Sequence, residues 1–250
     1  MIKLTNVTKK YSSEVTIGEL NLEIPKAGIT SIIGPNGAGK STTLLMIGRL
    51  LKMDQGNIEV SGLDVSSGNM DELAKSLAIL RQENHFVTRL TVRQLVGFGR
   101  FPYTKGRLTK DDEVIISKYI DFLGLNELEN RYLDELSGGQ RQIAYVAMVL
   151  CQETEVVLLD EPLNNLDVAR SVQMMHYLRK AANELKRTIV LVLHDINFAA
   201  TYSDRICTMK NGKVCAFGCT KDIMCPKLLS ETFDTTIRII DGPNGPLAVY

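Results

Sequence analysis

What this sequence lacks narrows the possibilities first. Its 250 residues hold 29 Lys plus Arg against 29 Asp plus Glu, so no net field draws nucleic acid or an anionic membrane. The apolar runs are short: "TIVLVL" at 188–193 is strand-sized, well below the roughly 18 residues a spanning helix needs. The opening "MIKLTNVTKKY" has no apolar core and no small-residue cleavage site, so no signal peptide is expected. Five cysteines (Cys151, Cys207, Cys215, Cys219, Cys225) form no CxxC pair, and their spacings match no zinc pattern. Reduced, structural thiols in a cytoplasmic setting are the expectation. There is no internal repeat, low-complexity tract or long linker.

What is present is strand–helix alternation. "MIKLTNVTKKY" and "LNLEIP" alternate as edge strands of an antiparallel layer would, and "ITSII" reads as a buried parallel strand. "STTLLMIGRLL" follows with helical spacing, and "GNIEVSGLDV" as a short hairpin-like pair. From about residue 84 to 155 the pattern turns helical. Thr91 can cap one helix, Thr109 and Asp112 make a capping-box start for another, and Gly124 stands where that one should stop. "TEVVLLDEP", "DVARSVQMMHYLRKAANEL" and "TIVLVLHD" restore strand, helix and strand, and "IRIIDGPNGPLAVY" reads as a hairpin about a Pro-Asn-Gly turn. The expected class is α/β: a mostly parallel core sheet (1–83 and 156–250), an antiparallel β layer, and an inserted α-helical subdomain (84–155).

One octapeptide carries chemistry by itself. "GPNGAGKS", Gly34 to Ser41, fits G-x-x-x-x-G-K-[ST] between a predicted strand and a predicted helix. Backbone N–H groups from Gly34, Pro35, Asn36, Gly37, Ala38 and Gly39 through Lys40, Ser41 and Thr42 can curl around a nucleotide's phosphates wherever a proton is present; proline only shapes the turn. Lys40 would reach the β- and γ-phosphates, and the Ser41 hydroxyl would coordinate Mg²⁺. "GPNG" recurs at 242–245 without Gly-Lys-Ser or a helix, and there it reads as a turn.

"VVLLDEP" places Asp160 and Glu161 where a buried strand emerges, the edge at which open α/β sheets bind ligands. Exposed acids ending a strand would be the plain reading without the glycine loop. With it, Asp160 is expected to orient Mg²⁺, and Glu161 to deprotonate the water attacking the γ-phosphate. His194, at the next strand exit, would contact that phosphate.

A second anion cradle follows. In "LSGGQ", Ser137 and Gln140 form a capping box, and Gly138 and Gly139 remove side chains that would hold a phosphate away. Ser137 belongs to a different subdomain from Lys40, so a head-to-tail dimer is the economical arrangement: each copy's Ser137 loop closes on the nucleotide held by the other copy's Lys40 loop.

Together "GPNGAGKST", "LSGGQ", "VVLLDEP", "NNLD" and "LVLHD" resemble the ATP-binding-cassette ATPases, the nucleotide-binding subunits of ABC transporters, over essentially the whole chain. The resemblance implies that Tyr11 stacks on adenine. It also implies that Gln82 touches Mg²⁺ and the attacking water, and that Asp167 crosses the dimer interface. "NNLD" departs from the commoner Ser-Ala-Leu-Asp, so no role is carried to Asn164. Residues 90–106, "LTVRQLVGFGRFPYTKG", are similar to importer ATPases for iron–siderophore, haem and cobalamin uptake. This implies an ATPase on the inner face of the cell membrane, a separate permease, and indirectly an extracellular substrate-binding protein, with no nucleic acid. An importer of another solute, or a non-transport ATPase of the same family acting on DNA or ribosomes, stays open.

Overall fold

The computed structural model describes all residues except 13–14, 83–87 and 244. In chain order the elements are β1 (Ile2–Lys10), β2 (Thr16–Ile24), β3 (Gly28–Ile33), α1 (Lys40–Ile47), β4 (Gln55–Val60), β5 (Leu63–Asp64), α2 (Met70–Ser76) and β6 (Leu77–Leu80). The helical segment follows as α3 (Val92–Phe98), α4 (Phe101–Thr104), α5 (Lys110–Phe122) and α6 (Gly138–Cys151). Then come β7 (Val156–Asp160), α7 (Val168–Glu184), β8 (Thr188–Val192), α8 (Ile196–Tyr202), β9 (Arg205–Lys210) and β10 (Lys213–Cys219). The chain closes with α9 (Thr220–Ile223), α10 (Pro226–Phe233), β11 (Arg238–Gly242) and β12 (Gly245–Val249).

The core sheet runs β10-β9-β3-β8-β7-β6, parallel except for β10, which pairs antiparallel at one edge. A four-stranded antiparallel sheet, β2-β1-β4-β5, forms the second layer. Two boundaries differ from the sequence reading. β1 is paired on both sides, so of the two expected edge strands only β2 lies at an edge. α1 stops at Ile47, because Gly48 caps it and Arg49 takes a left-handed backbone (φ +57°). The expected start of the helical subdomain at residue 84, and Asn244 of the C-terminal turn, lie outside the described residues.

Burial explains why these strands carry unbroken apolar runs. Val157 and Leu159 of β7, with Ile189 and Leu191 of β8, join a cluster that continues through α3, α5 and α6. Val156, Leu158, Val190 and Val192 point to the other face, against α1 and the antiparallel layer. The helical subdomain therefore shares its core with one face of the sheet.

Local chemistry sets the helix ends. Thr91, Thr109 and Ser137 each cap a helix with a complete capping box, each cap contributing about 1 kcal/mol. Gly124, just beyond α5, adopts the left-handed conformation (φ +66°) that a helix stop requires. Inside the subdomain, the buried Arg100 donates to Asp112 Oδ1 at 2.9 Å and to the Cys151 carbonyl at 3.0 Å. Removing one partner of such a pair costs about 3–5 kcal/mol. Just past α6, Arg187 donates to the carbonyls of Glu153 (3.1 Å) and Thr154 (2.9 Å), so both guanidinium groups grip the C-terminal end of α6.

Cys151 and Cys207 are buried, and burial pushes each thiol up to about 12, which suits inert core residues. Cys215 and Cys225 are exposed, so the structural reading of the thiols holds only for the buried pair. Among the described residues no helix is long and apolar enough to cross a membrane.

Candidate functional site

Strand register brings the candidate residues together. Ser31, Leu191, Leu159 and Leu80 lie in one row across β3, β8, β7 and β6. Two or three residues past that row, at the carboxyl edge of the sheet, come Gly34, His194, Glu161 and Gln82. The phosphate loop runs from there into α1. Gly34 is obligatory, since a Cβ on it would overlap the Met209 carbonyl and its φ is +152°. Gly39 turns left-handed (φ +96°) to hand the chain into α1, leaving the first N–H groups of that helix facing a cleft.

That cleft, about 240 Å³, is lined by Tyr11, Asn36 to Thr42, Glu161 and His194, among others. Lys40 is only 5% exposed and donates to the carbonyls of Gly34 (2.9 Å) and Pro35 (3.0 Å). Burial lowers its pKa from the ordinary lysine value, against the charges of Glu161 and Asp160, which hold it up. Ser41 Oγ donates to Asp160 Oδ1 at 2.8 Å. Burial raises the Asp160 carboxyl above the usual carboxylate value; the Ser41 hydrogen bond opposes the shift and the Glu161 charge adds to it. Tyr11 is half-exposed at the cleft mouth, its hydroxyl 3.3 Å from Thr42 Oγ1.

Glu161 is the centre of the constellation. Its backbone is left-handed (φ +51°), which turns the residue out of the strand line immediately after β7. His194 Nε2 lies 2.6 Å from Oε1, and Gln82 Nε2 donates to Oε2 at 2.7 Å. Asn164 Nδ2 also donates to Oε2, at 3.4 Å, a contact the sequence reading left without a role. A carboxylate fixed by three groups and facing a phosphate loop can accept a proton from a positioned water. Ser41, Asp160 and the Gln82 carbonyl are all oxygen donors, few in number. That set fits Mg²⁺, which keeps several waters and takes one or two carboxylates.

Ser137, Gly138, Gly139 and Gln140 stand apart from this cleft, at the N-terminus of α6. Ser137 N donates to Gln140 Oε1 at 3.0 Å, and Gln140 N to Ser137 Oγ at 3.3 Å. The two glycines differ. Gly138 has open space where a side chain would be, whereas a Cβ on Gly139 would overlap Arg170. The missing side chain of Gly139 therefore makes room for Arg170 rather than leaving open space. Asp167 caps α7, accepting from Arg170 N at 2.9 Å. Sequence reasoning passed over Arg170. The available signal was a cation in the first turn of a helix, where the macrodipole disfavours it.

The parallel sheet, the glycine loop and the acid at the strand end define a P-loop NTPase. Comparison with known proteins narrows that class. The ABC transporter family's sequence profile matches residues 17–164. The chain is 73% identical, over 250 residues and the whole of both chains, to the petrobactin import ATP-binding protein FatE of Bacillus anthracis. It is 46% identical over 250 residues, all of this chain and 99% of the other, to the petrobactin import ATP-binding protein YclP of Bacillus subtilis strain 168. Among solved structures it matches a dimeric ATP-binding cassette in a post-hydrolysis state bound to ADP and Pi. That match has a TM-score of 0.77 and 30% identity, and covers 88% of this chain and 99% of the other. The chain belongs to the ABC transporter family, as an ATP-hydrolysing cassette.

Proposed function

We propose that this cassette energises import of an iron–siderophore of the petrobactin kind through a separate membrane permease, working as a homodimer on the cytoplasmic face of the membrane. The observation that carries the site reading is the Glu161 carboxylate, held between Gln82 and His194 and facing the Lys40 loop. Identity of 73% along the full length to a petrobactin import ATP-binding protein supports the cargo class.

In this reading ATP enters with its phosphates on the Gly34–Thr42 loop and its adenine against Tyr11. Lys40 exchanges its two loop carbonyls for phosphate oxygens. Ser41 and Asp160, with Gln82, would hold Mg²⁺, which when bound would supply positive charge against the nucleotide's phosphates. Glu161 takes the proton of the attacking water, and His194 and Gln82 keep that carboxylate aimed while His194 also reaches the γ-phosphate. Ser137 to Gln140 and Asp167 act across the dimer, on the nucleotide of the second copy. A dimeric relative with ADP and Pi supports this arrangement. Permease docking falls to the segment 90–106 after Gln82, where Phe98 and Phe101 are exposed apolar side chains. An extracellular binding protein would deliver the chelate to the permease.

The test is uptake. A strain lacking the gene should lose import of radiolabelled ferric petrobactin, regain it with the intact gene, and fail to regain it with Lys40→Met. Undiminished uptake in the deletion strain, with no second petrobactin importer present, refutes the cargo assignment. ATP hydrolysis by the purified cassette would stand independently of it.

A further inference from the structure

Arg170 sits in the first turn of α7, yet its guanidinium is held at both edges. Nε lies 3.4 Å from Asp167 Oδ2, and Nη1 donates to Ser137 Oγ, 33 residues away in sequence. Its stem occupies the space that Gly139 leaves by having no side chain, while Gly138 stays clear. One arginine thus joins the two loops that the dimer reading places against the second nucleotide.

The hydrogen-bond capacity of Ser137 shows what this contact does. A serine hydroxyl has one proton to donate and two acceptor positions. Ser137 Oγ accepts from Gln140 N and from Arg170 Nη1, which fills both. Only donation remains, and in the free chain it goes to Gln140 Oε1, 3.2 Å away. A hydroxyl that accepts from a guanidinium is polarised toward giving its own proton in a hydrogen bond. An oxyanion is the partner that suits such a donor.

We propose that Arg170 is a positioning residue of the composite site. It sets the Ser137 hydroxyl as a hydrogen-bond donor to the terminal phosphate of the nucleotide on a second copy, and it ties that setting to the Asp167 loop. The inference rests on the dimer reading above.

The experiment uses the full-length Glu161→Gln protein with ATP and Mg²⁺, and reads the dimer dissociation constant by analytical ultracentrifugation. Adding Arg170→Gln should weaken the dimer about tenfold in all, the combined effect of modestly weakening one hydrogen bond at each of its two composite sites. Arg170→Lys should recover most of that loss, and ATP affinity of the monomer should not change. The deciding measurement repeats Arg170→Gln in a Ser137→Ala background. With the hydroxyl gone, the arginine should have no further effect, whereas a merely structural arginine weakens both proteins by the same factor. Equal factors, or an undiminished dimer with Arg170→Gln, overturn the proposal. A Glu161→Gln protein that stays monomeric overturns the dimer reading itself, and this inference with it.

Discussion

Replacing Glu161 by glutamine is the sharpest perturbation of the hydrolytic centre, because the contacts around the carboxylate dictate more than loss of a base. In the native site Oε1 meets His194 Nε2 at 2.6 Å and Oε2 meets Gln82 Nε2 at 2.7 Å. A glutamine at this position has one oxygen and one NH₂, so in either orientation its NH₂ faces a nitrogen donor. Gln82 can relieve the clash by turning its amide over, presenting its own oxygen to the new NH₂. His194 can relieve the other orientation by changing tautomer. Volume and hydrogen bonding are both kept, so folding and ATP binding should survive. With Glu161 as the proposed general base, the hydrolysis rate should fall about 10²–10⁴-fold, or about 3–5 kcal/mol of barrier. A turned Gln82 would also take its carbonyl oxygen out of the proposed Mg²⁺ ligand set, so the Mg²⁺ concentration giving half-maximal ATP binding should rise. Phosphate release under single-turnover conditions and a Mg²⁺ titration of nucleotide binding measure the two effects. A variant that hydrolyses within tenfold of wild type refutes the assignment of Glu161 as base. An unchanged Mg²⁺ requirement refutes the amide rearrangement.

Asp160 yields a stability prediction of opposite sign to its effect on activity. Its folded pKa is raised, chiefly by burial, so the folded state holds this proton more tightly than the unfolded chain does. The resulting stabilisation is present at low pH and lost as pH rises through the folded value, which means the ionised carboxylate costs stability at neutral pH. Asp160→Asn keeps an acceptor for Ser41 and removes the charge: thermal melting at pH 7 should move up while Mg²⁺-dependent hydrolysis collapses, and a lower melting temperature would contradict the argument. On the outer surface, changing Phe98 and Phe101 to serine should weaken co-purification with the permease and leave ATP hydrolysis by the isolated cassette within about twofold, since surface changes away from buried features usually shift stability by under about 0.5 kcal/mol. Permease recovered in equal amount with the double variant would exclude this patch as the docking surface.

Most of the nucleotide cleft was legible because its motifs specify backbone as well as chemistry. The glycines of "GPNGAGKS" demand a particular turn, and Gly34 and Gly39 adopt positive φ there. The capping boxes at Thr109 and Ser137 were equally readable, since three-residue spacing is all they need, whereas Thr91 was read only as a cap and its box with Gln94 appears in the structure. Pairings between distant segments were not. β6 is only Leu77–Leu80, too short for its alternation to declare itself, yet its register with β7 is what delivers Gln82 to Glu161. Asn164 reaches Glu161 because the intervening turn folds back, with Asn164 N bonded to the Glu161 carbonyl at 3.1 Å. Arg170 and Ser137 meet only when α6 and α7 pack together, and no local pattern carries that. The true ends of α1, and the placement of β1 inside its sheet, likewise depended on neighbours that the chain reaches later.

The grip of Arg100 and Arg187 on the far end of α6 has a mechanical corollary. Arg100 fastens the helix at Cys151 and Arg187 fastens the turn just past it at Glu153 and Thr154, whereas Ser137 rides at the opposite tip. The shaft between them is a 14-residue helix, roughly 20 Å of lever arm. A swing of only about 10° around the fastened end would carry Ser137 through roughly 3–4 Å, about one hydrogen-bond length. Small angular adjustments imposed at the fulcrum would therefore be enough to engage or withdraw the serine from a phosphate.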